Sequence, residues 1–137
     1  MSEPTLPDNQ RGWNEEDTPT LTVYLEDETG TPIPLANIVT LKLTCWWVKP
    51  DGTRKAVNGR NLQDVLNTNN VTVNSTSGLV TWYLQAGDTN FQNPDARAEE
   101  ERHFFRFDLT FNGTAGNVMG KSYEDYTDLK RKDVITA

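Results

Sequence analysis

The chain has 137 residues, a formal net charge of -7 and 35% hydrophobic residues, which suits one domain with a real core. Its acidity argues against nucleic acid as a partner, because phosphate binding needs a cationic footprint, and equally against an anionic membrane surface. A single cysteine, Cys45, and a single histidine, His103, exclude an internal disulfide, a cysteine-rich zinc site and a His-pair metal site.

The mean hydropathy of -0.68 is low for a compact domain, so part of the chain is expected to be arm or loop. No apolar run approaches the ~20 residues a transmembrane helix needs. The first residues, MSEPTLPDNQRGW, lack the basic and apolar regions of a signal peptide. Asn-x-Ser/Thr patterns at Asn70, Asn74 and Asn112 read as turn residues.

Residues 1–20 are polar, contain Pro4, Pro7 and Pro19, and set Glu3, Asp8, Glu15, Glu16 and Asp17 against Arg11 alone. Such a segment buries too little to offset its ordering entropy. It reads as an extended arm, either frayed or ordered against a neighbouring subunit through Leu6 and Trp13. Residues 21–25 alternate as a half-buried strand, and Asp27-Glu28-Thr29-Gly30 turns the chain. Pro32 and Pro34 suit an edge position. Residues 38–48 form the longest strand signal, with Leu41, Leu43, Cys45 and Trp47 on the core face and Trp46 on the other. Pro50-Asp51-Gly52 closes a tight turn into residues 55–57.

Residues 61–69 carry Leu62, Val65 and Leu66 at helical spacing and read as one helical turn or an irregular loop. Val71 and Val73 open a short strand, and residues 79–84 make another, with Val80, Trp82 and Leu84 together. A long polar loop follows, whose end, residues 96–102, is predicted to be a short helix. Phe105, Phe107, Leu109 and Phe111 give the cleanest amphipathic strand. Asn112-Gly113 is a strong hairpin signal, with a return strand at residues 117–119. Residues 121–137 are a last strand with a docking tail, or a second interaction arm. The domain plan is therefore an arm (1–20), a sandwich (21–120) and a C-terminal strand or tail (121–137).

About seven short strands separated by turns predict an all-β, immunoglobulin-like two-sheet β-sandwich, without the Cys-Trp-Cys signature of antibody domains. The spacing of Leu25, Asp27, Gly30, Pro34, Leu35, Leu41, Leu43, Pro50, Asp51 and Gly52 carries a resemblance. So do Gly78, Leu79, Val80, Trp82, Gly87, Asp88 and Thr89, followed by Phe105, Phe107 and Phe111. Over roughly residues 20–113 the chain resembles the immunoglobulin-like modules of tailed-phage virion proteins and is similar to the N-terminal domain of phage baseplate upper proteins. It departs from that pattern in a longer stretch at residues 93–103 and a longer, more charged tail. The resemblance implies a non-enzymatic virion structural protein, made in the host cytoplasm and present in many copies. It implies partners among the capsid or the tail and baseplate proteins, and no cofactor.

Little in the sequence suggests catalysis. Glu99, Glu100 and Glu101 read as a solvated charged face, and neither an EF-hand spacing nor a Gly-x-Ser-x-Gly elbow is present. Asp27, Glu28 and Asp88 in turns leave a structural calcium as a minor alternative. The partner-binding residues proposed from the sequence are Leu6, Trp13, Trp46, Tyr123, Tyr126 and Leu129. Trp46 is the one tryptophan that strand parity leaves exposed. It therefore also supports an alternative reading, a glycan-binding module for host attachment with Trp46 as its platform.

Overall fold

The computed structural model describes residues 13–95 and 97–131. Eight strands run in chain order: β1 (Thr20–Tyr24), β2 (Ile38–Val48), β3 (Arg54–Ala56), β4 (Gln63–Asp64), β5 (Val71–Val73), β6 (Leu79–Tyr83), β7 (Glu100–Asn112) and β8 (Val118–Lys130). They form two antiparallel sheets. The smaller has the order β1-β6-β5, and the larger the order β3-β2-β7-β8 with β4 also paired to β2. Among the described residues the only helical pieces are single 3-10 turns at Leu35–Asn37 and Ala86–Asp88.

Alternation builds the core between the sheets. Leu41, Leu43 and Cys45 of β2, Phe105, Phe107, Leu109 and Phe111 of β7, and Tyr123 and Leu129 of β8 face Leu21 of β1, Val71 and Val73 of β5, and Val80 and Trp82 of β6. Each large apolar side chain buried this way contributes about 1.5–3 kcal/mol. Trp82 is the centrepiece, with its ring set edge-on to Phe105 at 5.7 Å and Phe107 at 6.1 Å, a favoured aromatic geometry. Cys45 is buried as expected, and burial pushes its thiol far above the ordinary range.

The turns share one piece of chemistry. Asp27 Oδ1 accepts from the backbone N–H groups of Thr29 at 2.8 Å and Thr31 at 3.0 Å. Asp51 Oδ1 accepts from Thr53 N–H at 2.9 Å, and Asn74 Oδ1 from Thr76 and Ser77 N–H, each at 3.0 Å. Short Asx side chains thus replace the ladder where the chain reverses. Gly52 takes φ +90° in the Asp51 turn. Gly78, at φ +70°, is more demanding, because a Cβ there would lie 2.7 Å from the carbonyl oxygen of Leu25.

Of the two forms expected for residues 61–69, the irregular loop is the one present: it holds the two-residue strand β4 and turns, and Leu62, Asn67 and Asn69 at positive φ exclude the helical turn. Two further expectations differ from the structure. The helix expected at 96–102 is replaced from Glu100 onward by β7. There the strand continues the inward parity of Phe105 through the buried His103 and Glu101. The return strand is also far longer than residues 117–119. β8 pairs with β7 without a break from Val118 opposite Asn112 to Lys130 opposite Glu100.

The segment before β1 joins the fold from Trp13 onward. Lys130 N–H donates to Trp13 O at 2.9 Å and Glu15 N–H to Lys130 O at 2.7 Å, a short parallel bridge on the free edge of β8. Lys130 therefore directs its backbone groups away from β7. By alternation Tyr126 does the same, and its N–H is taken at 2.8 Å by the Asp125 carboxylate.

Candidate functional site

Four of the six partner-binding residues read from the sequence lie inside this chain. Trp13, Tyr123 and Leu129 belong to the core cluster, and the Tyr123 hydroxyl accepts a 3.1 Å bond from Glu26 N–H. Trp46 is 3% exposed, which corrects its expected exposure and removes it as a sugar platform. The reason lies on the outer face of the larger sheet. Trp46, Phe104 and Tyr126 stand opposite one another on β2, β7 and β8. Trp46 stacks on Phe104 at 5.6 Å between centroids, and Phe104 meets Tyr126 at 6.0 Å. Guanidinium groups roof this ladder: Arg54 lies 4.6 Å from the Trp46 centroid and Arg102 4.0 Å from that of Tyr126, typical cation–π placements. Strand parity placed Trp46 correctly but could not show its neighbours. Leu6 lies outside the described residues.

The outer face of the smaller sheet has a different character. Thr22 of β1 pairs with Thr81 of β6, which pairs with Thr72 of β5. Tyr83 stands opposite Thr20, and Tyr24 opposite Leu79. Tyr24 and Tyr83 are 58% and 46% exposed. None of these side chains is charged, in a sequence with 24% charged residues.

A buried polar chain crosses one end of the sandwich. Arg60 Nε donates to Asp88 Oδ1 at 2.5 Å and Arg60 Nη2 to Asp88 Oδ2 at 3.0 Å. Both residues are 2% exposed. Asp88 also accepts from Asn58 Nδ2 at 3.0 Å and from Gln85 N–H at 2.7 Å, and Arg60 Nη1 reaches Gln63 Oε1 at 2.9 Å. A buried pair with this many partners offsets its desolvation, and its main effect is to specify where each segment sits. The same Asp88 has both carboxylate oxygens bonded within the network, and Asp27 directs Oδ1 to Thr29 and Thr31.

The chain continues through His103. Its Nδ1 donates to the Asp88 carbonyl oxygen at 3.1 Å, and its Nε2 meets the Glu101 carboxylate. Because that carbonyl can only accept, Nδ1 is the donor in that bond. Glu101 in turn accepts from Gln92 N–H and Asn93 N–H, each at 2.7 Å. Burial drives its carboxyl up, but the bonds from His103, Gln92 and Asn93 outweigh burial and hold it below the ordinary value. Glu101 is thus part of the interior and not of the solvated face expected for it. Both His103 ring nitrogens are committed to holding the loop.

That loop walls an open cleft of about 610 Å³, lined by Trp47, Lys49, Pro50, Asp51, Lys55, Gln92, Asn93 and Pro94. Trp47 continues the core face of β2 and is half-buried, packed against the core margin. Lys55 stands opposite it on β3. No protein-family model, curated protein or solved structure matches the chain.

Proposed function

We propose that this chain is a non-enzymatic, immunoglobulin-like module of a tailed-phage virion, docked in many copies onto a neighbouring structural subunit of the capsid or of the tail and baseplate. The observation that carries this reading is the uncharged outer face of the smaller sheet, with Tyr24 and Tyr83 exposed across a row of threonines. Interface centres are depleted in charge and enriched in tyrosine. The face contrasts with the outer face of the larger sheet, where Arg102 pairs with Asp128 at 2.7 Å and Arg106 with Asp108 at 2.9 Å.

The strand order supports the immunoglobulin part. Taking β1, β6 and β5 as strands B, E and D, and β3, β2, β7 and β8 as C′, C, F and G, gives the neighbours of that sandwich in both sheets. Repeated copies would turn a modest face into firm attachment through effective concentration.

The test is sedimentation with particles from the host that carries the gene. The chain is expected to travel with intact virions. A Tyr24→Ser/Tyr83→Ser variant should keep its melting temperature and lose most of that association. A chain absent from virions, or a variant that stays bound as well as the parent, refutes the proposal.

A further inference from the structure

We propose that the cleft over Trp47 is a binding subsite for an acidic saccharide, a sugar ring that carries a carboxylate. The proposal goes beyond docking in a particle and does not depend on it.

Four features converge. Trp47 lines the cleft while packing, half-buried, against the core. The indole ring offers an apolar surface for the C–H face of a pyranose. The Gln92 and Asn93 side chains line the same space and can meet ring hydroxyls, since a carboxamide both donates and accepts. Lys49 and Lys55 bring two ammonium groups to the cleft of a protein whose net charge is -7. The one carboxylate in the lining, Asp51, is turned to Thr53 N–H at 2.9 Å and Thr53 Oγ1 at 2.7 Å, so the two lysines outnumber it in the cleft. Charge complementarity therefore selects an anionic ligand over a neutral one.

The wall is also set in advance. The backbone at Gln92 and Asn93 is bonded to Glu101, which His103 orients from the core. Preorganisation of this kind removes loop-ordering cost from binding. Asn93 Oδ1 accepts from Asp95 N–H at 3.0 Å, which holds that amide in place and leaves its N–H₂ as the end that can donate. Among the four tryptophans of the sequence, Trp13, Trp46 and Trp82 are buried, so a ligand in the cleft reports on Trp47 selectively.

The probe is an oligogalacturonate, titrated against 15N-labelled full-length protein, with the methyl-esterified oligomer as the neutral control. The Trp47 indole N–H signal is expected to shift with the acid form, and the ester to bind about tenfold more weakly, a difference of about 1.4 kcal/mol. Lys49→Gln/Lys55→Gln should weaken the acid form to the level of the ester, and Trp47→Ala should abolish the shifts that the acid form causes in the Gln92 and Asn93 amide signals of the parent, with unchanged spectra elsewhere confirming both folds. No movement of the Trp47 signal with either oligomer overturns the subsite. Equal binding of acid and ester overturns the acidic specificity, and a response confined to signals away from the cleft overturns the location.

Discussion

Glu101 stands between two opposing effects, loss of water around its carboxylate and three hydrogen bonds to the charged form. The bonds win, so the folded protein holds this carboxyl below its ordinary value of 4.5. A carboxylate depressed in the folded state adds stability that is complete above the unfolded value and drains away as pH falls through the folded one. Urea unfolding is therefore expected to show stability that falls as the pH drops below the ordinary carboxyl value. Glu101→Gln should cost about 1–3 kcal/mol at neutral pH and flatten that decline. Parallel curves for parent and variant would show that other carboxylates, such as Asp27 and Asp95, cause it. The sequence held the signal for this residue. Counting back by twos from Phe105 reaches His103 and then Glu101, on the core side. The run of three glutamates hid it, because consecutive charges usually mean solvent.

Among the elements, alternation in β2, β6 and β7 was enough to define the strands and their inner faces. Where it failed, long-range partners had overridden local preference. Residues 96–102 contain good helix formers, yet β7 starts at Glu100 because Glu101 and His103 find their partners in the interior. Residues 61–69 show helical spacing, yet Arg60 is bound to Asp88 and Gln63, and Leu62 turns left-handed to keep that approach. Two glycine turns, one between β2 and β3 and one into β6, give a sharp comparison. Gly52→Ala meets nothing within 4 Å and should cost about 1–2 kcal/mol, the left-handed penalty alone. Gly78→Ala meets backbone oxygen atoms of Leu25 and Ile33 at 2.7 and 3.0 Å, with the same penalty added. It is expected to lose about 3 kcal/mol or more, read as the difference between the two melting curves. Equal losses would mean that the β1–β6 entry yields easily.

At the scale of the whole molecule, the boundary expected near residue 20 is displaced. Trp13 is in the core cluster, its carbonyl accepts from Lys130, and Thr89 Oγ1 donates to Asp17 O at 2.6 Å. An aromatic anchor was foreseen in this segment, but burial against a neighbouring subunit and burial against the same chain look alike in sequence. Two truncations separate the parts. Removing residues 1–18 should be about 3–5 kcal/mol less stable than removing residues 1–12, the usual scale for losing a buried tryptophan, measured by urea unfolding. If both shortened chains unfold together, Trp13 contributes little. The two-sheet architecture was readable from turns and parity. The polar chain from Arg60 to Glu101 was not, because its members are scattered over residues 60–103 and are brought together only by the folded arrangement of the chain.

The Asp125 carboxylate on the Tyr126 N–H has a consequence for how such molecules behave when crowded. β8 is a 13-residue edge, long enough to template strand-by-strand growth into fibres. One end is closed by the parallel bridge at Lys130, and the middle is closed by a side chain that occupies the donor an incoming strand would need. A strand arriving from another copy would therefore find backbone groups of β8 already taken at Lys130 and Tyr126, and its edgewise addition is disfavoured.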